Sequence, residues 1–264
     1  MTLPDFRSPV DLPEGKTGKF EVKHTHGDCF DIVSMREAIT TGRQPLTVKL
    51  EEPIRIHELY EEGKLWIADV PIEVRQHQES LSKMEPRGRV LVGGLGLGIM
   101  AGLLAKRKEV TQVDVVEISP EVARLCKPTD PKVKVIVQDF RAFVAAQRRW
   151  EWDCAFVDLW RGTSEGDWWE EVLPIRRLIA NKFGLWYAGT VEYWAEDIML
   201  GQVGRRLMEV TDPHWFYKAG LKLPMSKVRA RWFFNNIGSP RWEKKYGVLY
   251  PKGGGTVEQD ETAS

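Results

Sequence analysis

The chain has 264 residues, 42% of them hydrophobic, with 38 basic and 38 acidic side chains and a formal net charge of zero. That is enough apolar material for one α/β domain with a small addition, and the charge balance does not favour a protein that grips long nucleic acid by its phosphates. Cys29, Cys126 and Cys154 are far apart, odd in number and outside any Cys-x-x-Cys or Cys/His spacing, which argues against a disulfide framework or zinc site and for a reducing, cytoplasmic setting. The opening Met1-Thr-Leu-Pro-Asp-Phe-Arg7 has no apolar segment behind a basic start, and no run approaches a membrane span, so no membrane partner is expected.

From Met1 to about Gly18 the chain is rich in proline, glycine and charge and reads as a flexible arm. Lys19 to His24, Leu46 to Leu50, Ile54 to Leu59 and Lys64 to Ala68 each show partial alternation. Glu62-Gly63 offers a hairpin turn between the last two, so residues 19–85 read as a small antiparallel β region. Asp28 to Ile39 is expected to add a short helix, and Ile72 to Met84 another, leading through Glu85-Pro86-Arg87-Gly88 into the next strand. His24-Thr-His26-Gly-Asp28 alternates two imidazoles with a carboxylate, a pattern more often found on a solvated strand face than around a metal, so no metal is expected.

Arg89 to Lys106 organises the rest. Val90 to Val92 form an apolar strand, Gly93, Gly94, Gly96 and Gly98 a turn stripped of Cβ atoms, and Ile99 to Ala105 a helix whose opening amides face whatever lies on the turn. Gln112 to Ser119 is a second strand ending on Glu117, about twenty residues after the glycines, where a carboxylate meets the ribose hydroxyls of a bound nucleoside. Ser119-Pro120-Glu121 then starts a helix with Ser119 as N-cap.

Further on, Val133 to Val137 reads as a strand ending at Asp139-Phe140, Arg141 to Arg149 as a helix, and Trp152 to Val157 as a buried strand with Asp158 at its carboxyl end. Trp168 to Asn181 reads as a helix stopped by Lys182-Phe183-Gly184, and Leu185 to Ala188 as the next strand. Alternation at this pitch predicts a doubly wound, mostly parallel sheet with Gly94, Gly96, Gly98, Glu117, Asp139 and Asp158 along its ligand-binding edge. Ala195 to Val210 fits a helix, Val228 to Phe234 a late strand, and residues 241–264 a polar tail.

The order Val90-Leu-Val-Gly-Gly-Leu-Gly-Leu-Gly98, Val116-Glu-Ile-Ser-Pro-Glu-Val122, Val137-Gln-Asp-Phe140 and Phe156-Val-Asp158 resembles class I S-adenosylmethionine-dependent methyltransferases, most of all the spermidine-synthase-like branch. His77-Gln-Glu-Ser-Leu81 is similar to the Tyr-His/Gln-Glu-Met-Leu stretch of that branch, and the likeness covers roughly residues 64–190. The resemblance implies a Rossmann-like fold over residues 86–240 with S-adenosylmethionine as cofactor. It places Gly94, Gly96 and Gly98 close to the cofactor, Glu117 on the ribose, and Asp139 with Ile118 or Phe140 on the adenine. It also puts His77 and Glu79 at the substrate. Asp158 at its strand end is a candidate general base or hydrogen-bond acceptor, and Trp160 and Arg161 beside it are candidates for the acceptor pocket.

The departures redirect the activity. The aminopropyltransferases of this branch resemble Gly-Gly-Gly-Asp-Gly at the first turn and Asp-Ser-x-Asp after the fourth strand, where this chain has Leu97 and Arg161 in place of acids. A polyamine needs several carboxylates, so the expectation is methyl transfer to a small-molecule or peptide acceptor rather than aminopropyl transfer. The Asn/Asp-Pro-Pro-Tyr signature of amino-methylating nucleic-acid enzymes is absent, and nucleic acid is not the expected partner; a homodimer stays open. Two other classes remain: a nicotinamide dehydrogenase, and a non-catalytic protein of the same fold, given Val92 where many methyltransferases carry an acid.

Overall fold

The computed structural model describes residues 7–34, 44–160, 168–196 and 199. Two sheets divide them. The N-terminal sheet is antiparallel, in the order β1 (Gly15–Thr17), β2 (Phe20–Val33), β3 (Leu46–Glu61), β4 (Lys64–Ala68). The second is parallel throughout, in the order β7 (Val133–Val137), β6 (Val110–Glu117), β5 (Gly88–Gly93), β8 (Cys154–Val157), β9 (Val191–Tyr193).

Helices α1 (Pro71–Met84), α2 (Ile99–Ala105), α3 (Pro120–Leu125) and α4 (Phe140–Ala146) alternate with the parallel strands. After β8 a π-helical turn (Trp168–Val172) runs into α5 (Leu173–Phe183), followed by the single turn α6 (Leu185–Ala188).

The parallel sheet is buried on both faces. Val90, Leu91, Val113, Val115, Ala155 and Val157 are all fully enclosed, which is what unbroken apolar runs become when helices cover both sides. Each such Val or Leu contributes roughly 1.5–3 kcal/mol. The chain winds outward from β5 in one direction through β6 and β7 and in the other through β8 and β9. The carboxyl ends of β5 and β8 therefore flank the crevice at which the winding reverses, the place where open α/β sheets take ligands. The doubly wound fold with a small antiparallel region ahead of it is thus as the sequence predicts.

Several local expectations are corrected. Asp28 to Val33 is not helical but continues β2, because Cys29, Phe30 and Asp31 pair with Lys49, Val48 and Thr47 across the hairpin. Residues 35–39 of that expected helix lie outside the described residues. The two strands expected at Leu46 and Ile54 are one strand, β3, which carries Pro53 through the register shift opposite Gly27 and Cys29, where no ladder bond is demanded of it.

Leu185 to Ala188 is a helical turn rather than a strand. Trp186 is 80% exposed and unsuited to a central strand, and the strand forms instead at Val191–Tyr193, where Val191 and Tyr193 are buried. The arm expected before Gly18 is docked over its described part: Gly15–Thr17 pairs with Phe20–Val22, and Leu12 is buried. Two imidazoles grip Leu12, its N–H donating to His57 Nε2 at 3.3 Å and its carbonyl lying 2.7 Å from His24 Nε2. Behind them His57 Nδ1 meets Asp69 Oδ2 at 2.7 Å. The hairpin turn at Glu62-Gly63 is where the sequence puts it. The helix expected from Ala195, the strand at 228–234 and the tail fall almost wholly outside the described residues.

Candidate functional site

The carboxyl edge of the parallel sheet gathers the glycine turn, three strand-end carboxylates and a cavity. Gly94 leaves β5 at φ 88°, with its N–H bonded to the Val116 carbonyl at 2.8 Å. A Cβ there would drive into the carbonyl oxygen of Asp158, so only glycine lets the turn pass the end of β8. Gly96 follows at φ 52° and Gly98 closes the turn at φ 83° as the N-cap of α2, its N–H bonded to the Leu95 carbonyl at 2.7 Å. A Cβ on Gly96 would meet only the Ile67 methyl at 3.7 Å, so the turn is open on that side.

Glu117, at the tip of β6, is 4% exposed. Its two oxygens each accept one backbone N–H, from Leu95 at 2.9 Å and from Ser119 at 2.8 Å. The carboxylate thus pins the glycine turn to the second strand, and an ionised carboxylate has about four acceptor positions, so capacity remains for a ligand. Next to it Ile118 is 68% exposed, and Val137 at the tip of β7 is 53% exposed, which gives the edge an apolar lip. Asp139 is exposed and caps α4 through the Ala142 N–H at 2.7 Å. Phe140, expected beside an adenine, instead buries its ring: a Cβ on Gly93 would stand 2.7 Å from it, so the ring packs beneath the strand end as core.

Beside the turn lies a cavity of about 320 Å³ whose wall includes Gly96, Asp158, Glu73, Trp66, Trp160 and Trp194. Burial pushes the Glu73 carboxyl up to about 7. Burial likewise raises Asp158 well above the ordinary 3.8, with the negative charges of Glu73 and then Glu117 adding to it. Among the described residues no lysine or arginine pairs with either acid.

Of the expected substrate residues, Trp160 lines the cavity. His77 does not: it points into the core from α1, stacked on Trp194 with ring centroids 4.2 Å apart, and its Nδ1 donates to the Glu73 carbonyl at 2.9 Å. Burial holds its imidazole near 4, so it is neutral. Glu79 is drawn aside by Arg75, whose Nη1 donates to it. Arg161 lies outside the described residues.

Glu73, Trp66 and Trp194 were not legible as site residues. Glu73 stands one turn before His77 on the same helix, the one sequence signal that points to it, whereas Trp66 and Trp194 reach the cavity from β4 and from the end of β9, by tertiary structure alone.

No protein-family model matches this chain, and no curated protein matches it. Among solved structures, a probable spermidine synthase from Corynebacterium glutamicum is similar at 17% identity over 48% of this chain and 52% of that one, with a TM-score of 0.38. A putative methyltransferase from Escherichia coli is similar at 15% identity over 42% and 62%, TM-score 0.33. Spermidine synthase from Thermotoga maritima is similar at 15% identity over 55% and 58%, TM-score 0.35. Each match thus spans less than two thirds of the other chain, and at such scores the architecture rests on its own strand order and register. No helix among the described residues is long and apolar enough to cross a membrane.

Proposed function

We propose that this chain is an S-adenosylmethionine-dependent methyltransferase acting on a small acceptor. The observation that carries the reading is the juxtaposition, at the point where the sheet's winding reverses, of an open glycine turn, the buried Glu117 carboxylate, an apolar lip and a separate cavity of about 320 Å³. The first three suit an adenosine and the last suits a second reactant, at the lower end of small-molecule pocket sizes.

The residues fit the cofactor chemically. Glu117 retains acceptor positions for a ribose diol, Ile118 and Val137 present apolar surface to a flat ring, and the exposed Asp139 carboxylate accepts from an amino group. Gly96 borders both the turn and the cavity and leaves room between them. The bound sulfonium supplies an activated methyl group. The chain's part is to orient the two reactants, exclude water with Trp66, Trp160 and Trp194, and receive the proton that the acceptor gives up.

Methyl rather than aminopropyl transfer is supported by Leu97, which is 1% exposed and belongs to the core where an acid would be needed for an amine. The two cavity carboxyls do not make up the difference, because their burial favours the protonated forms and thins out the negative charge a polyamine would require.

The test is calorimetric titration of the full chain with S-adenosylmethionine, wild type against Glu117→Ala. Loss of a charge-assisted hydrogen bond to each ribose hydroxyl should weaken binding at least tenfold, about 1.4 kcal/mol. Equal affinity in a folded Glu117→Ala protein would remove the ribose from this carboxylate.

A further inference from the structure

The N-terminal strap, from Pro9 to Thr17, takes no part in the chemistry above, yet it is tied to the glycine turn. Pro9 and Val10 lie on α2 at Gly102, where a Cβ would come within 3.1 Å of Pro9 and 3.3 Å of Val10, so a mid-helix glycine is what admits the strap this closely. Val10 also reaches Gly98, the residue that closes the turn, where a Cβ would meet it at 3.7 Å. At its other end the strap pairs with β2 through Gly15–Thr17. Beneath it runs a crevice of about 230 Å³ walled in part by Pro9, Leu12, Gly102, Cys126 and Val133, so its middle depends on what grips Leu12.

The backbone fixes the protons of that grip. The Leu12 N–H can only donate, so His57 Nε2, 3.3 Å away, carries no proton, and the ring's one proton sits on Nδ1 and is donated to Asp69 Oδ2 at 2.7 Å. The Leu12 carbonyl can only accept, so His24 Nε2, 2.7 Å away, carries a proton. A further proton therefore acts differently on the two rings. His24 takes it on Nδ1 and keeps its bond, whereas His57 takes it on Nε2 and turns the acceptor of a buried N–H into a donor that confronts it.

Among the described residues, the titratable and charged groups around this grip are Asp69 between β4 and α1, Asp11 and Glu14 on the strap, Arg55 on β3 and His24 on β2. Asp69 bonds both the His57 ring and the His57 N–H, the latter at 2.7 Å, whether the strap is on or off, so it favours protonation in both states alike. Asp11 Oδ1 stands 3.9 Å from Nε2 and favours the imidazolium with the strap docked. Its side chain is 81% exposed and already paired with Arg55, so its pull is weak beside the loss of a buried hydrogen bond. Glu14 accepts the His24 N–H at 2.9 Å. The His24 and His57 rings stand 4.9 Å apart, so a charge on one disfavours a charge on the other.

We propose that His57 is a proton-operated clamp on the N-terminal strap. Unprotonated at Nε2, it holds Leu12 and keeps Pro9 and Val10 on α2; protonated, it lets them go. The docked strap favours the unprotonated ring, so docking is complete at high pH and is lost as the pH falls through the histidine range, about 5 to 8. Release frees the start of α2, and affinity at the glycine turn falls with it. That last consequence rests on the S-adenosylmethionine reading above, whereas the clamp does not.

Amide hydrogen exchange of the full chain with no cofactor added, followed from about pH 8 to 5 and corrected for the intrinsic pH dependence of exchange, reads the clamp at the Leu12 N–H. Wild type should lose protection there by about tenfold or more on acidification, with α2 following over the same interval. His57→Gln keeps a neutral side chain at this position and should show protection that ignores pH. If His57→Gln does not fold, Asp11→Asn removes the charge that favours the imidazolium in the docked state and should deepen the acid loss. Protection of Leu12 that is flat with pH in wild type, an equal acid loss in His57→Gln, or a shallower loss in Asp11→Asn would overturn the proposal.

Calorimetry with S-adenosylmethionine at the two ends of the range, on wild type and His57→Gln, separates the claims. Affinity should fall severalfold on acidification in wild type and less in His57→Gln. A strap that releases in a protein that binds no S-adenosylmethionine at either pH would sink the methyltransferase reading and leave the clamp standing. Binding by a protein whose strap ignores pH would sink the clamp and leave that reading intact.

Discussion

The two ends of the parallel sheet each hold acids, fully buried at one and half-buried at the other, and they handle them in opposite ways. At the amino end Asp114 is fully enclosed and fully answered: Arg89 Nε donates to it at 2.6 Å, Trp152 Nε1 at 2.8 Å and Gln112 Nε2 at 2.7 Å. At the carboxyl end Glu73 and Asp158 line a cavity with no lysine or arginine paired to either among the described residues, and both carboxyls are pushed upward. A charge answered by donors ties strands together; a carboxyl left without a cation is pushed toward its protonated form, as happens at ligand sites.

The Asp114 cluster carries the larger share of stability. Asp114→Ala leaves Arg89 Nε, Gln112 Nε2 and the buried Trp152 N–H without their shared acceptor, although Arg89 Nη1 keeps Glu151 at 2.9 Å, and should cost about 3–5 kcal/mol in urea unfolding, roughly 1–2 kcal/mol for each lost bond. A loss below about 1 kcal/mol would mean that the cluster is ornamental.

The functional half shows itself through pH. Burial raises Glu73 from 4.5 to about 7, so the folded chain favours the proton. Stability from this group is full below 4.5 and is lost as the pH rises to about 7. Glu73→Gln has no such loss and should gain on wild type across that window by on the order of 3 kcal/mol, measured as the difference between two urea series. Parallel stability curves for the two proteins would contradict the burial of this carboxyl.

A finer contrast runs within the turn. Gly94→Ala meets the Asp158 carbonyl as well as an unfavourable φ, while Gly96→Ala faces strain alone. Gly94→Ala should therefore be the more destabilising by roughly 1–3 kcal/mol in thermal or urea unfolding, and equal losses would show that the strand ends are free to part.

Much of the site's frame could be read from the sequence because it lies on a regular alternation. Gly94, Gly96, Gly98, Glu117, Asp139 and Asp158 are strand-end residues, and a buried parallel strand announces itself by an unbroken apolar run. What stayed hidden came from elements whose placement is tertiary. Glu73 looks like an ordinary first-turn helix acid until α1 is laid against the crevice. Leu185 to Ala188 is apolar enough for a strand, and only the exposure of Trp186 shows that the sheet goes on at Val191. The N-terminal arm looked mobile because its anchor is a backbone grip on Leu12 by His24 and His57, which leaves no periodic trace.

The central claim, that the carboxyl edge takes S-adenosylmethionine, is tested most directly by titrating the full chain in the calorimeter with S-adenosylmethionine, its decarboxylated form and NAD in turn. The account predicts that S-adenosylmethionine binds most tightly and that NAD does not bind. Tighter binding of the decarboxylated compound would favour aminopropyl chemistry, and preference for NAD would contradict the account outright.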